Sequence, residues 1–190
     1  GKTELVTSCY GGLQFVEVGK ADWVRELEWK GSILTAAPSP DGRFIATGNQ
    51  DATVHVWETE SGKDLQMNGY PFKVRELAWC EGGPLLATGG SNVITVWSFA
   101  GRGPAGKPPE ELKGHEERIC GLASSGQRLV SVSEDRTLRV WQRKQSWRCA
   151  RVEPAEVPLL ALAVSPDGRW AAAAGEGGAL AVWPLEDGDG

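Results

Sequence analysis

The chain has 190 residues, 41% hydrophobic and 24% charged, so it can bury a core and does not belong to the disordered class. Its 20 basic and 25 acidic residues give a net charge of −5, which argues against nucleic acid or an anionic membrane surface as a partner. The apolar stretches are too short to span a bilayer, and no basic segment followed by an apolar one begins the sequence. We therefore expect a globular, cytoplasmic protein.

The chain begins with short strand-like runs of branched residues, bounded by Gly, Ser or Asp. The runs 5–9, 13–16 and 23–28 predict an incomplete sheet over residues 1–28. A four-stranded unit follows over about 29–68, and within it His55 alternates with Val54 and Val56, so we expect this histidine to be half exposed. The predicted strands of this unit are 33–37, 44–48, 53–57 and 63–67.

Three further units follow, over about 69–113, 114–152 and 153–190. The first of them ends in a Gly- and Pro-rich stretch at 101–109 that cannot sustain a strand and predicts a surface loop. The last unit has no predicted outer strand. The predicted strands are 74–79, 85–88 and 93–97, then 119–123, 129–133, 137–141 and 147–152, then 159–164, 170–174 and 179–183.

A tryptophan closes each unit at a regular interval. Trp57, Trp97, Trp141 and Trp183 are separated by 40, 44 and 42 residues. A period of about 40–45 residues with four strands per unit is typical of a propeller blade. Together with the runs Asp-Ala-Thr-Val-His-Val-Trp and Asp-Arg-Thr-Leu-Arg-Val-Trp and two Ser-Pro-Asp-Gly turns, this pattern resembles the WD-repeat β-propeller family over about residues 5–185.

The resemblance implies an all-β fold, a β-propeller of four-stranded antiparallel blades. About four and a half blades are present, which is too few for a ring of seven. We therefore expect the C-terminal part of a longer propeller, whose unfinished edges would self-associate; a compact ring of four or five blades is the alternative. The Ser-Pro-Asp-Gly turns and the Gly/Ala-rich strands resemble bacterial more than eukaryotic members of the family.

Four residues match the family's structural hydrogen-bonded tetrad: His115, Ser131, Asp135 and Trp141. A buried indole N–H needs an acceptor, which a serine hydroxyl supplies, and a histidine can bridge that hydroxyl to a carboxylate. The same residue types invite a hydrolase interpretation. However, no Gly-x-Ser-x-Gly elbow is present, and the equivalent slots of another unit hold Thr47 and Asp51 with Trp29 in place of histidine. We therefore expect a structural role and no enzyme activity.

No metal or cofactor site is predicted. The four cysteines form no C-x-x-C pair, so we expect reduced, buried thiols, and His115 with Cys120 does not match a zinc pattern. The acidic pairs 110–111 and 116–117 lie beside a predicted loop, where a solvated face is favoured over a calcium or acid/base site. Trp79 and Trp170 fall in core strands, whereas Trp23, Trp29 and Trp147 are candidates for exposed contact.

The favoured function is a non-catalytic WD-repeat platform or scaffold for protein partners. The alternatives are a sensor module that binds a small ligand in the axial funnel or belongs to a larger signalling enzyme, and a purely structural segment of a larger ring. Partner contacts are expected on the loops that enter each blade and on the turns before each third strand. These candidates are Trp29, Gln50, Tyr70, Phe72, Lys73, Arg118 and Glu134. For Trp29 and Tyr70 the alternative is that they fill the volume of the missing tetrad histidine.

Overall fold

The structure is a computed structural model that describes residues 4–19, 22–80, 84–101 and 103–185. Within these ranges the regular elements are sixteen β-strands and one 3-10 turn at Glu176–Gly178, and all strand pairs are antiparallel. The all-β prediction is confirmed. In the described part of the chain, no helix is long and apolar enough to cross a membrane. The chain divides into two compact units, residues 1–75 and 76–190.

The first unit is one five-stranded sheet in the order β1-β2-β3-β4-β5. Strand β2 is long enough to serve two predicted strands, because its first half pairs with β1 and its second half pairs with β3. The side chain of Trp23, at the start of β2, lies outside the described part of the structure. The strands are β1 (Glu4–Glu17), β2 (Trp23–Pro38), β3 (Phe44–Asn49), β4 (Val54–Glu58) and β5 (Asp64–Met67).

Strand β1 folds back on itself near its middle. The Oγ1 atom of Thr7 lies 3.4 Å from the carbonyl oxygen of Gln14, and Cys9 Sγ lies 3.6 Å from that of Gly12. In a straight strand, residues 7 and 14 would be about 23 Å apart. The turn uses Gly11 and Gly12, whose φ angles of 105° and 148° lie in the region that glycine adopts most readily. The segment therefore contains the two strands that the sequence predicts here.

The core of the first unit lies between β1, β2, β3 and β4. Leu13, Phe15, Ile45 and Trp57 form a buried cluster there. Strand β4 is an inner strand whose first four residues are all buried, and His55 is only 1% exposed. The prediction of a half-exposed His55 is therefore wrong, because both faces of this strand are covered.

The second unit contains three sheets. Two have four strands, and the last has three in its described residues. Glu110 and Glu111 begin the outer strand β9, directly after the loop that the sequence predicts there. Their side chains are exposed and approach Arg143 and Lys113 at 3.5 and 2.9 Å. The strands are β6 (Leu77–Cys80), β7 (Leu85–Thr88), β8 (Ile94–Ser98) and β9 (Glu110–Leu112); β10 (Ile119–Ser125), β11 (Arg128–Ser133), β12 (Thr137–Arg143) and β13 (Trp147–Pro154); β14 (Leu159–Val164), β15 (Trp170–Gly175) and β16 (Leu180–Pro184).

The β10–β13 sheet is packed on both faces. Leu129 and Trp141 join a buried cluster with β6, β7 and β8, while Val130 and Leu138 join a second cluster with β14 and β15. The β10–β13 and β14–β16 sheets approach closely at Gly121, where an added Cβ atom would lie 2.6 Å from the Cβ atom of Leu162. A side chain at this position would push the sheets apart.

Within the described part of the chain, the β14–β16 sheet is packed on one face only. Ala171 and Ala173 point into the core, whereas Trp170, Leu180 and Val182 are 47%, 74% and 55% exposed. The expectation that Trp170 belongs to the core is wrong, because alternation along β15 turns its side chain to the open face.

The cysteines also differ from expectation. All four are free, but only Cys80 is buried, and Cys149 is exposed.

Candidate functional site

The predicted tetrad is formed in the β10–β13 sheet. The indole Nε1 of Trp141 donates to Ser131 Oγ at 2.9 Å, and the same hydroxyl lies 2.7 Å from Nε2 of His115. The other ring nitrogen of His115, Nδ1, lies 2.8 Å from Oδ2 of Asp135. The loop before β10 is thereby tied to β11, to β12 and to the turn between them.

The tetrad has one consistent arrangement of protons. An ionised carboxylate can only accept, so Nδ1 of His115 donates to Asp135, and Nε2 accepts from the Ser131 hydroxyl. Burial lowers the pKa of His115, although Asp135 acts in the opposite sense. Burial raises the pKa of Asp135, but hydrogen bonds from Thr137, His115 and the Glu116 N–H outweigh it, so this pKa is lowered. A neutral histidine beside an ionised aspartate follows.

Local backbone geometry holds the carboxylate of Asp135 in place. Arg136 has a φ of 64°, which closes the turn between β11 and β12. Thr137 then donates to Asp135 Oδ1 through its backbone N–H at 2.9 Å and its hydroxyl at 2.6 Å, and the Glu116 N–H reaches Oδ2 at 3.1 Å. The carboxylate is saturated by groups of its own sheet and of the loop before it.

The tetrad is closed to substrates. Ser131 is 0% exposed, and its oxygen is already bonded to Trp141 and His115. A nucleophilic serine must reach a substrate carbonyl, which a fully buried hydroxyl cannot do. In this arrangement the serine, histidine and aspartate hold the sheet together.

The first unit has a different arrangement at the equivalent positions. Trp29 lies in the histidine slot, and its ring centroid is 3.8 Å from that of His55 on β4. His55 in turn lies 3.0 Å from Oδ2 of Asp64, while the indole N–H of Trp57 is buried without a hydrogen-bond partner among the described residues. Thr47 contacts the carbonyl oxygen of His55 and not the indole. Aromatic packing replaces the tetrad here.

The β14–β16 sheet lacks three of the four tetrad side chains. Ala155, Ala173 and Gly177 occupy the slots of His115, Ser131 and Asp135, and Trp183 is retained. Ala155, Ala173 and Trp183 line a cavity of about 480 Å³. Because alanine has no hydroxyl, Trp183 lacks the acceptor that Ser131 offers to Trp141.

The predicted partner-binding residues of the first unit are not equally accessible. Gln50, Phe72 and Lys73 are exposed, Phe72 by 64%, whereas Trp29 and Tyr70 are half-buried. The indole N–H of Trp29 is fully buried. The packing of Trp29 on His55 therefore agrees with its alternative role of filling the histidine slot.

In the second unit the structure brings Arg118 and Glu134 together as an exposed ion pair, with 2.5 Å between Nη2 and Oε1. Trp147, a candidate for exposed contact, is half-buried against the core, and its indole N–H is buried. The sequence does not reveal this, because alternation along an edge strand does not show which of its two faces is covered.

No group of three or more His, Cys, Asp or Glu side chains that could hold a metal ion occurs among the described residues. His115 and Cys120 do not form a shared site, because both ring nitrogens of His115 are bonded within the tetrad. Cys120 is half-buried, and burial raises the pKa of its thiol.

Comparison with known proteins gives a consistent result. The family model "WD domain, G-beta repeat" matches residues 23–58, 64–98, 106–142 and 148–184. The chain is 31% identical over 121 residues to cell division cycle 20.1, cofactor of APC complex, from Arabidopsis thaliana, which covers 61% of this chain and 25% of that protein. It is 29% identical over 169 residues to meiotic fizzy-related protein 1 from Schizosaccharomyces pombe, which covers 87% of this chain and 37% of that protein. This chain thus spans well under half of either relative.

A solved structure supports the fold. The chain is similar to a chain in the crystal structure of the mitotic checkpoint complex, with a TM-score of 0.83 and 24% identity. The similarity covers 97% of this chain and 62% of that one. The predicted fold class is therefore confirmed, and both curated relatives described above are eukaryotic.

Proposed function

Because this chain belongs to the WD40 repeat family, we propose that it is a non-catalytic platform that binds protein partners. WD40 repeat domains are typically protein-interaction scaffolds. The observation that carries the proposal is a contrast in burial between the tetrad and the residues beside it. The polar cluster of His115, Ser131 and Asp135 is buried and saturated, while Arg118 and Glu134 beside it remain exposed or half-exposed. The accessible groups are contact residues rather than catalytic ones.

The proposed contact positions occupy one repeated place in the fold. In the β10–β13 and β14–β16 sheets, a backbone N–H just after the second strand donates to a carbonyl just before the first strand, and in the first unit the N–H just after β3 donates to a carbonyl within β2. Gln50 donates to Ser32, Glu134 to Arg118 and Glu176 to Pro158, each at 3.0 Å. In these three sheets the two bonded chain segments therefore lie side by side, and they carry different side chains.

The side chains at these loops are suited to protein contact. Phe72 and Lys73 supply an exposed aromatic ring next to a cation, and Val74 ties their loop to β3 by donating to Asn49 at 3.3 Å. Arg118 supplies a second cation. Interfaces are enriched in aromatic residues and arginine relative to the rest of the protein surface.

The relatives' names are consistent with protein partners. One is a cofactor of the APC complex, and the similar structure is that of a checkpoint complex, so both names describe assemblies of proteins. We propose that this chain also acts within an assembly; membership of a larger signalling enzyme stays an alternative. The bacterial lineage rests on the Ser-Pro-Asp-Gly turns and the Gly/Ala-rich strands and stays a prediction, as does the alternative of a small-ligand sensor.

The test compares two charge-reversal variants of equal net charge. Lys73→Glu with Arg118→Glu changes the contact loops, whereas Lys63→Glu with Lys107→Glu changes exposed lysines elsewhere. Affinity purification with mass spectrometry should recover the same partner with the wild type and the control, and lose it with the loop variant. Circular dichroism checks folding. Equal recovery by all three proteins would remove these loops from consideration.

We also propose that the open face of β14–β16 is covered by a further blade in the whole protein, so that the chain is part of a longer propeller. The support is the exposure of Leu180, Val182 and Trp170 on a single sheet face, since a patch of this kind is a liability in water. The 62% coverage of the similar solved chain agrees with it.

Free cysteines are consistent with a reducing compartment, and we propose the cytoplasm.

A further inference from the structure

A polar cleft lies in the second unit, at the end of the β10–β13 sheet remote from the tetrad turn. Its volume is about 570 Å³, within the usual size range of ligand sites. It is bounded by the β10–β11 hairpin, by the end of β12 with Lys144 after it, and by the turn between β14 and β15. None of the residues expected to contact partners lines it.

The walls of the cleft are held together by the chain itself. Ser125, only 8% exposed, donates its hydroxyl to the carbonyl oxygen of Gly168 at 2.9 Å, which joins the hairpin to the turn. The guanidinium of Arg128 donates to the carbonyl oxygen of Leu185. A site that exists before a ligand arrives avoids part of the ordering cost of binding.

The cleft is positively charged in a chain that is negative as a whole. Among the described residues, Arg128, Arg143 and Lys144 line it against a single carboxylate, that of Asp167, whereas the net charge of the chain is −5. The carboxylate of Asp167 is already bonded to the Ser165 hydroxyl at 2.5 Å and to a backbone N–H at 3.1 Å. A concave surface lined by one sign of charge concentrates ligands of the other sign.

Two of these cations are weakly engaged. Arg143 approaches Glu110 at 3.5 Å, with both side chains more than a third exposed, and exposed pairs of this kind contribute little. Lys144 is exposed at the start of the loop between β12 and β13. Both side chains are therefore able to turn toward an anion in the cleft.

A smaller pocket of about 180 Å³ adjoins the cleft and shares two of its cations. It shares Gln127, Arg143 and Lys144 with the cleft and ends on Leu85 and Trp147. The indole N–H of Trp147 is buried, with no hydrogen-bond partner among the described residues. Leu85 and Trp147 give this pocket an apolar wall beside the cations, so it favours a ligand that has an apolar group next to an anion.

Cys80 also lines this pocket and adds to its apolar character. Burial raises the pKa of its thiol to about 12, with Arg143 acting in the opposite sense. The thiol is therefore neutral at pH 7 and behaves as a small apolar group. The combined surface has a cationic centre and an apolar end.

We propose that this surface binds an acidic peptide segment of a protein partner. A carboxylate of the peptide binds Arg143 and Lys144, and the next side chain, an aliphatic one, packs against Leu85 and Trp147. This inference rests on the proposed function, because it takes the partners to be proteins. It adds a second contact surface, separate from the loops that carry Lys73 and Arg118.

The first experiment identifies the preferred sequence without assuming it. A library of random eight-residue peptides is selected on the 190-residue chain. We expect enrichment of an aspartate or glutamate followed directly by an aliphatic residue. Enrichment of basic or purely apolar peptides, or no enrichment, would overturn the proposal.

The second experiment locates the site with matched variants. Arg143→Gln with Lys144→Gln removes the two cations, and Lys113→Gln with Arg136→Gln removes two exposed cations outside both pockets. By fluorescence anisotropy, the selected peptide should bind the first variant at least about tenfold more weakly than the wild type and the second variant equally. Equal loss in both variants would show general attraction to positive charge and refute the site.

Changes in the peptide separate the possible anions. Replacing its acidic residue by glutamine should weaken binding about tenfold, and replacing its aliphatic residue by serine should also weaken it. Phosphoserine carries similar oxygens, so a phosphoserine peptide and inorganic phosphate are tested as well. If only the phosphoserine peptide or only phosphate binds, the acidic-peptide proposal is wrong.

The outcome is distinguishable from failure of the proposed function. If the variants at Lys73 and Arg118 lose their partner while no acidic peptide binds this cleft, the platform stands and the cleft does not. If the peptide binds as expected but the loop variants recover every partner, the contact surface is the cleft instead of the loops.

Discussion

The β10–β13 and β14–β16 sheets are repeats of the same pattern, yet they are stabilised differently. The first has the complete tetrad and is packed on both faces, with Ser131 and Leu129 fully buried. The second keeps Trp183 but has alanine or glycine in the other three slots, and one of its faces is open. Both still form antiparallel strands. Strand pattern and turn chemistry therefore suffice for the sheet, and the tetrad adds stability to a sheet that already forms.

The largest difference in the free energy of unfolding should come from substitutions of two matched leucines. Leu129→Ala removes a fully buried side chain from the cluster shared with β6–β8, and we expect it to lower the free energy of unfolding by about 2–5 kcal/mol. Leu180→Ala, at a side chain that is 74% exposed, should cost less than about 0.5 kcal/mol. Urea unfolding of both variants measures the contrast, and similar losses would mean that the open face is covered.

The next contrast compares two aspartates in turns. Asp135→Ala leaves His115 and Thr137 without their acceptor, and we expect a loss of about 1–3 kcal/mol. Asp167→Ala removes a carboxylate at an exposed Ser-Pro-Asp-Gly turn, where water replaces the lost bonds, so its loss should be smaller. Thermal unfolding compares the two melting temperatures. Equal shifts would contradict the stabilising role of the tetrad.

The third contrast is a dependence on pH. The pKa of His115 in the folded chain lies below its ordinary value of 6.5, so just below pH 6.5 the unfolded chain binds more protons. The contribution to stability is complete above pH 6.5 and declines as the pH falls below it. Asp135, whose pKa is lowered from 3.8, adds a loss only below pH 3.8.

Urea unfolding at pH 7.5 and 5.5 tests this dependence. Wild type should be less stable at pH 5.5, and His115→Gln should be less stable than wild type at pH 7.5 but should change less between the two pH values. The three slots of β14–β16 that lack the tetrad hold no titratable group. If His115→Gln keeps the full pH dependence, another group is responsible.

The smallest effect on stability should come from the open face of β14–β16. Leu180→Ser with Val182→Ser makes this face more polar with little change in the free energy of unfolding, because both side chains are already largely exposed. Sedimentation velocity should show less self-association than in wild type, and binding of a hydrophobic dye should fall. A wild-type chain that is monomeric and binds no dye would contradict the proposal that this face is normally covered.

Much of this structure could be predicted from the sequence because its signals are local. The strands 129–133 and 137–141 correspond to β11 and β12, and the tetrad forms between the predicted side chains. The two Ser-Pro-Asp-Gly turns also form alike, with Ser39 and Ser165 each donating to the aspartate two residues later. Residue type and spacing within a repeat determine these features.

Exposure was harder to predict than strand position. Alternation places His55 and Trp170 on faces of their strands, but it does not say what covers each face. Trp29 packs on His55, whereas the face of β15 that bears Trp170 has no such cover. The cysteines follow the same rule, since Cys80 faces a core cluster and Cys149 faces outward.

The sequence by itself determined the repeat, the all-β fold and the residues of the tetrad, because turn residues, branched runs and a spaced tryptophan act over a few residues each. Only the tertiary structure decided that Arg143 and Trp147 meet Leu85 in one pocket and that the face bearing Leu180 is open. These features depend on which loops and faces of separate sheets come together, and that depends on packing between residues far apart in the chain.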